Sequence, residues 1–543
     1  MTGAEAIAKC LLNEKVEYVF GYPGVAIAPL FDSLYDKKIH SVLIRQEQNA
    51  AHAASGYARI SGRPGVVAVT SGPGAENLIT GIATAFADSI PLICITGQVD
   101  STLMGSDVFQ EADISGACES FVKYSYIVRD AQDIPRIMKE AFTIATTGRK
   151  GPVLIDVPVD VQHAKLSHFS YPEEVKMRTY KPTVEGHAVQ IKKVISELSK
   201  AKRPILCAGG GTFLSDAAPL VRAFAEKYNI PVVCTMMGLG VLPTDHPLFF
   251  GMVGNNGDAC GNRAMNEADM IIMIGARVAD RSISQPDLIL KDKILVHIDV
   301  DPAEIGKNAG PTIPLVGDVA HVLRAFLKED IRVSCDDFIS QLCAYRKQWK
   351  EQKEEARGKK NPDGCVNPAA FIHALSEAMD ENAVYVADVG QNQLWSCTNS
   401  VIREGRFLTS GGMGTMGYAL PAAMGAQLAD PDRQVIAVCG DGGFQMSMME
   451  LATMRQYKIP AKIVVLRNNT LGLVRQYQHL HLHDRFAVTD LGVYPKLEYL
   501  TGAYDMEYIR LTDNADIQDT VRRFLGSGNS VLMEVNVSKD ALA

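Results

Sequence analysis

The run Val435-Ile436-Ala437-Val438-Cys439-Gly440-Asp441-Gly442-Gly443-Phe444 is answered further along the chain by Ile463-Val464-Val465-Leu466-Arg467-Asn468-Asn469-Thr470-Leu471. Each opens on an apolar, β-branched stretch and closes on a polar turn, the pattern of a buried strand running into a loop. In a parallel sheet both turns emerge at one edge, where open α/β sheets place ligands. That edge carries the Asp441 carboxylate, side-chain amides, free carbonyls and the N–H groups that Gly442 and Gly443 leave open to close approach. Hard oxygen ligands suit Mg²⁺, which binds through few protein groups and through phosphate oxygens. Glycine-freed amides suit the phosphate itself. A bare strand-end turn would explain Gly-Asp-Gly-Gly alone, and the Asn pair after a second buried strand argues for a site.

Outward from this pair, short β-branched runs recur at 66–70, 92–96, 153–157, 205–208, 232–235, 271–275, 294–299, 435–439, 463–466 and 531–535. Helical patterns such as 188–199 and 216–228 separate them. This alternation implies parallel sheets covered on both faces. The fold class is α/β, with three doubly wound parallel-sheet domains. The polar segment 164–182 reads as a linker. The charge-dense segment 348–363, closing on Asn361-Pro362-Asp363-Gly364, reads as an exposed helix end and connector. The domains then fall near 1–165, 183–345 and 362–543.

A chain of 543 residues with 47% hydrophobic and 21% charged residues has the composition of a multidomain globular enzyme. Its net charge of −8 and the lack of a large basic block argue against nucleic acid as a partner. The 11 cysteines have no CxxC spacing, and Cys94, Cys207, Cys234 and Cys439 sit in apolar runs. Buried free thiols in a reducing compartment fit them best. Met1-Thr2-Gly3-Ala4-Glu5 opens an amphipathic helix without a signal-peptide pattern, and no apolar run reaches bilayer length. The expectation is a soluble, cytoplasmic protein with no membrane partner.

Toward the N-terminus, Arg45-Gln46-Glu47-Gln48-Asn49-Ala50-Ala51-His52-Ala53-Ala54 places one acid at the head of a small-residue helix. Read alone, Glu47 is a first-turn acid favourable toward the helix dipole. Its continuation Ser55-Gly56-Tyr57-Ala58-Arg59 belongs to a longer series of words. The others are Phe20-Gly21-Tyr22-Pro23-Gly24, Thr70-Ser71-Gly72-Pro73-Gly74-Ala75, Thr96-Gly97-Gln98-Val99 and Asp107-Val108-Phe109-Gln110-Glu111. Later come Asp388-Val389-Gly390-Gln391 and Gly411-Gly412-Met413-Gly414-Thr415-Met416-Gly417-Tyr418. In order, over nearly the whole chain, the series resembles the acetohydroxyacid synthase (acetolactate synthase) catalytic subunit, a thiamine diphosphate (ThDP) enzyme.

The resemblance implies that the first and third domains share the ThDP-enzyme fold, one binding the aminopyrimidine and the other the diphosphate. Glu47 would lie against the aminopyrimidine N1′, where low dielectric keeps a proton shared and lets the imino tautomer deprotonate the thiazolium C2. Asp441, the Asn468 side chain and the Thr470 main-chain carbonyl would hold Mg²⁺, in the register that Leu471-Gly472 suggests. Asn469 with Leu471 is the second-ranked register. Gly442 and Gly443 would meet the diphosphate, in a cofactor site that also includes Gly390, Gln391 and Asn392. The Gly414 carbonyl would hold the 4′-amino group, and Met416 would wedge the cofactor into its bent form. Gln98 would hydrogen-bond an oxyanion, Phe109 and Gln110 would wall the substrate pocket with Tyr477, and Arg277 would bind the acceptor carboxylate. A structural FAD would be lined by Arg149, Gly209, Gly210, Gly211, Gly275, Arg277, Asp299 and Asp318.

The implied reaction is decarboxylation of pyruvate and transfer of the hydroxyethyl group to pyruvate or 2-ketobutyrate, at the head of branched-chain amino acid biosynthesis. The alternative is another ThDP-dependent 2-ketoacid decarboxylase or carboligase on the same scaffold. The implied assembly is a homodimer or tetramer whose sites lie between subunits, Glu47 from one and Asp441 from the other, with a small regulatory subunit as a candidate partner.

Four departures from the family pattern stand out. Asn255-Asn256 replaces the usual Met-His inside a Gly-x-x-Gly turn, Tyr477 the usual Trp of Gln-Trp-Gln, and Asn392 the usual His, still able to donate a hydrogen bond. The stretch His479-Leu480-His481-Leu482-His483-Asp484-Arg485 replaces an aromatic, glycine-containing one. It reads as a lid or pocket face rather than a metal site, because no Cys or second His pair accompanies it.

Overall fold

Val and Ile runs with no polar break on either face are buried only between helical layers, and all ten runs are strands there. The computed structural model describes residues 1–543 apart from the Leu288 side chain. It contains three six-stranded sheets, whose strand pairs are all parallel. The first is built from Tyr18–Tyr22 (β1), His40–Leu43 (β2), Gly65–Val69 (β3), Leu92–Gln98 (β4), Tyr124–Ile127 (β5) and Val153–Pro158 (β6), in the order β2-β1-β3-β4-β6-β5.

The second sheet holds Pro204–Ala208 (β7), Val232–Cys234 (β8), Phe249–Met252 (β9), Met270–Ile274 (β10), Ile294–Asp299 (β11) and Ile313–Val316 (β12). Read from β9, its order is β9-β8-β7-β10-β11-β12. That is the 3-2-1-4-5-6 order of dinucleotide-binding sheets, with a switch point between β7 and β10. The third sheet comprises Val384–Ala387 (β13), Arg406–Leu408 (β14), Val435–Gly440 (β15), Lys462–Arg467 (β16), Glu507–Leu511 (β17) and Val531–Asn536 (β18). Its order, β14-β13-β15-β16-β18-β17, repeats that of the first. Both have their switch point between the first and third strands, here β1/β3 and β13/β15.

The first and third sheets are joined through helices Glu47–Ser61 and Ala419–Ala429. Both are lined with Ala and Gly, so their backbones touch: a Cβ at Gly56 would strike the Ala422 carbonyl, and one at Gly425 the Ala53 carbonyl. The charge-dense stretch forms the end of helix Asp336–Gly358 and the turn after it. All 11 cysteines are free, and all but Cys343 and Cys365 are buried. Among the described residues no helix is long and apolar enough to cross a membrane.

Candidate functional site

Three turns meet at the β13/β15 switch point of the third sheet. After β13 the chain turns at Gly390, whose φ of 129° only glycine adopts readily, into helix Gln391–Asn399. After β15 it passes directly into helix Asp441–Ser447, and after β16 into the Asn468–Leu471 turn and helix Gly472–His481. Three helix N-termini with their free N–H groups therefore converge on one edge.

Asp441 is buried there, and its carboxylate ties the turns together. One oxygen accepts from the Asn468 and Asn469 N–H groups at 3.0 and 2.5 Å, the other from the Gly442 N–H at 2.9 Å. Burial pushes this carboxyl up to about 6 against the pull of those donors. The Asn468 amide oxygen accepts from the Thr470 N–H at 3.1 Å, and its nitrogen faces Gln391 Oε1 at 3.4 Å. Asn469 sits at φ 58°, and its amide oxygen accepts from Arg467 Nε at 2.8 Å. Asn468 is thus on the Gln391 side of the turn, whereas Asn469 is bound to the arginine before it. A Cβ at Gly472 would collide with both Gln391 and Asn468, which accounts for the glycine.

Met416 reaches the same edge: a Cβ on Gly442 would stand 3.4 Å from Met416 Cε and 2.8 Å from Leu471 Cδ2. The Gly414–Tyr418 loop is held by Asp388, whose buried carboxylate accepts from the N–H groups of Val389, Gly417 and Ala419 at 2.8, 2.9 and 3.0 Å. Asp388 lies in one of the quoted motifs, yet this loop-holding role depends on contacts that a linear motif does not carry. Asn392 does donate hydrogen bonds, and its donors are turned to the main chain. Both its amide hydrogens go to the Asp388 and Val438 carbonyls at 3.0 Å, stitching β13 to β15.

In the first sheet, Glu47 heads helix Glu47–Ser61 and is 9% exposed. Its carboxylate accepts from Asn77 Nδ2 at 3.0 Å and lies over Gly74, where a Cβ would stand 3.3 Å from Oε1. Asn77 and Thr84 share helix Pro73–Ala87, and Thr84 bonds Thr415 at 2.7 Å. Seven helical positions span about 10 Å. Within one chain, the helix positions that bond Glu47 and the Gly414–Tyr418 loop are separated by that distance.

Gln98 ends β4, and its amide is fully engaged. Nε2 donates to the Ala112 carbonyl at 2.8 Å and to Asp156 Oδ2 at 3.0 Å, and Oε1 accepts from the Val99 N–H at 2.9 Å. In this conformation no N–H of Gln98 is left for an oxyanion. Gln110 adopts φ 60° with its backbone against Gly72, while Phe109 projects outward, 86% exposed. Tyr477 is 58% exposed on helix Gly472–His481, its ring 4.6 Å from that of His481. His479 bonds Asp484 at 2.5 Å, and no cluster of three or more His, Cys, Asp or Glu side chains fit for a metal occurs among the described residues.

Between the three sheets lies a cavity of about 380 Å³. Arg149, Gly210, Gly211, Gly275, Arg277, Asp299 and Asp318 all line it, as does Asn256 from the departing turn. Gly275, at φ 54°, accepts from the Gly211 N–H at 2.9 Å, so the loops after β7 and β10 close-pack at their switch point. Gly209 lies behind that wall, where a Cβ would strike the Gly275 carbonyl. Arg149 pairs with Asp301 and Glu304 at 3.2 and 2.8 Å, and Asp318 caps helix Val319–Phe326 through the Ala320 and His321 N–H groups. Burial raises the Asp299 carboxyl to about 6. Residues 87–89 of the first domain, Met236 and Met237, and Gly411 and Gly412 of the third complete the walls. Gly411 and Gly412 open one of the quoted motifs and Ala87-Asp88-Ser89 stands in another family-like word, whereas Met236 and Met237 carry no such mark. Nothing in the linear sequence shows that these segments share one wall.

The chain matches the family models for the thiamine pyrophosphate enzyme N-terminal TPP binding domain over residues 1–117, the central domain over 191–326 and the C-terminal TPP binding domain over 388–535. It is 42% identical to a probable acetolactate synthase large subunit of Methanocaldococcus jannaschii, across 98% of this chain and 92% of that one. It is 40% identical to the acetolactate synthase large subunit of Lactococcus lactis, across 99% and 93%. To that of Corynebacterium glutamicum it is 41% identical, across 96% and 84%.

Proposed function

Because the chain belongs to the acetolactate synthase large-subunit family of thiamine pyrophosphate enzymes, we propose that it decarboxylates pyruvate and joins the hydroxyethyl group to a second 2-ketoacid, pyruvate or 2-ketobutyrate. The observation that carries this reading is the convergence of buried Asp441, Asn468 and three helix N-termini on one sheet edge. A carboxylate, an amide oxygen and main-chain carbonyls form a donor set for Mg²⁺, and the free N–H groups suit a diphosphate. The Arg467–Asn469 bond favours Asn468 with the Thr470 carbonyl over the register one residue on.

When bound, ThDP supplies the electron sink that decarboxylation and carbon–carbon bond formation require. The chain's own groups orient and protect it. Met416 and the Gly414 loop, braced by Asp388, present an apolar wedge and a carbonyl beside the diphosphate edge. Glu47 holds a proton at N1′ from a nearly dry position. Arg277 offers a guanidinium fork to the acceptor carboxylate. Gln98 serves an oxyanion only after releasing Asp156 or Ala112.

The middle cavity fits a flavin dinucleotide: it lies at a 3-2-1-4-5-6 switch point, with glycine turns on one wall and Arg149 on another. We assign it to FAD in a structural role. The resemblance to the family supports a homodimer or a tetramer, with each site shared between subunits. The relatives' description as large subunits supports a small regulatory subunit as a partner.

The test is to incubate purified protein with pyruvate, ThDP and Mg²⁺ and to measure acetolactate. It is expected to form, and to vanish when a chelator removes the metal. Acetaldehyde as the sole product would overturn the reading in favour of a simple 2-ketoacid decarboxylase.

A further inference from the structure

The segment carrying Glu47 is laced, from residue 41 to residue 49, to a single helix of the third domain, Glu450–Tyr457. Tyr457 accepts from the Leu43 N–H at 2.8 Å and donates to the Ser41 carbonyl at 3.2 Å. Thr453 Oγ1 reaches the Leu43 carbonyl at 3.4 Å, and Gln456 Oε1 accepts from Arg45 Nη2 at 2.6 Å. On the third-domain side of this seam Glu450 is fully buried, 0% exposed. Its Oε1 accepts from the Arg45 N–H at 3.1 Å and from Asn49 Nδ2 at 2.9 Å. Its Oε2 accepts from the Arg45 N–H at 3.2 Å and from Thr453 Oγ1 at 2.6 Å. The carboxylate therefore grips the chain two residues before and two residues after Glu47.

Helix Glu47–Ser61 has no side-chain cap of its own, since its N-cap residue, Gln46, makes none. Asn49 is fully buried and its Oδ1 has no partner. Its Nδ2 donates to Glu450 Oε1 at 2.9 Å and, more weakly, to Met449 Sδ at 3.8 Å, so Glu450 supplies the strong bond that holds this side chain. A carboxylate near a helix N-terminus is also favourable toward the dipole. The seam begins shortly after the Asp441 helix, with only Met448 and Met449 between that helix and Glu450.

We infer that Glu450 is a positioning residue for Glu47: by binding residues 45 and 49 it fixes the start of the helix and hence the direction in which the Glu47 carboxylate points. This rests on the reading of Glu47 as the acid at N1′. A group displaced by about 1 Å from its productive position loses on the order of 100-fold in rate, so the effect belongs in proton transfer rather than in cofactor binding.

The experiment compares wild type, Glu450→Ala, Glu450→Gln and Glu47→Ala by three measurements. These are Mg²⁺-dependent ThDP binding, the rate at which the C2 proton of bound ThDP exchanges for deuterium, and amide hydrogen exchange over residues 45–50 without cofactor. Glu450→Ala is expected to slow C2 exchange by on the order of 10–100-fold, to leave ThDP affinity near wild type, and to speed amide exchange at 45–50. Glu450→Gln, which keeps the shape and one acceptor oxygen, is expected to recover part of each. Wild-type C2 exchange in Glu450→Ala, or parallel loss of ThDP binding, would overturn the inference. If the Ala variant does not fold, the Gln variant is judged by the same two criteria. Wild-type exchange in Glu47→Ala would instead overturn the reading of Glu47 itself.

Discussion

A tyrosine ring is smaller than an indole, and at position 477 the difference falls on the helix that leaves the Asn468 turn. If that helix faces the acceptor, the pocket loses apolar contact with the extra methyl of 2-ketobutyrate. One methylene in such a pocket is worth about 1–3 kcal/mol of discrimination, and part of it is lost here. Tyr477→Trp is therefore expected to raise the acetohydroxybutyrate-to-acetolactate ratio with both ketoacids present. An unchanged ratio means that residue 477 does not touch the acceptor. Asp156 makes a second residue-scale case. Burial raises its carboxyl from 3.8 to about 7, against bonds from Thr96 at 2.6 Å and Gln98 at 3.0 Å. A raised carboxyl favours the protonated form in the fold. Its contribution to stability is full below its unfolded pKa and is lost as pH rises through about 7. Asp156→Asn, neutral throughout, is expected to lose less stability than wild type between pH 5 and pH 8, read as urea midpoints. Equal losses would show that Asp156 keeps an ordinary affinity for its proton.

Among elements, helices Glu47–Ser61 and Ala419–Ala429 approach until backbone meets backbone at Gly56 and Gly425. Adding a methyl there must push the helices apart, and overpacking of this kind costs about 1–3 kcal/mol. Gly425→Ala is expected to lower stability by that amount, while Gly358→Ala, with open space around it, is expected to be neutral or slightly stabilising. Equal midpoints for the two variants would refute the close crossing. The dinucleotide-type order of the second sheet carries its own expectation: purified protein is yellow and releases FAD. A colourless preparation that makes acetolactate, and gains nothing from added FAD, would place the chain among flavin-free relatives. The same elements show what could be read from sequence. Long β-branched runs such as those of β4 and β10 declare themselves because both faces are buried. By contrast, β14 is only three residues long and β5 is a half-exposed edge strand, so neither carries a clear period. The Asp441 and Asn468 turns are local and legible. The grip of Glu450 on residues 45 and 49, Asp388 on the Gly417 loop and Asp156 on Gln98 are contacts across the chain, which no local pattern encodes.

For the whole molecule the decisive question is which chain supplies which half of a site. Within a chain, the helix residues that bond Glu47 and Thr415, Asn77 and Thr84, stand about 10 Å apart, and Phe109 and Tyr477 are exposed. In a two-fold dimer each contact occurs twice by symmetry. One site then takes Glu47 from one protomer and Asp441 from its partner, and the second site takes the reverse. Glu47→Ala and Asp441→Ala should each be inactive alone, for different reasons: the first still retains ThDP, the second does not. Mixed and allowed to exchange subunits, they form heterodimers in which one site has lost both residues and the other has lost neither. Random pairing makes about half of all dimers heterodimers, each with one intact site of two. Activity should therefore climb from near zero toward about one quarter of wild type, and only under conditions that permit exchange. If Glu47 and Asp441 served one cofactor within a single chain, every site in the mixture would lack one of them. No activity would then return, however long the two variants were mixed.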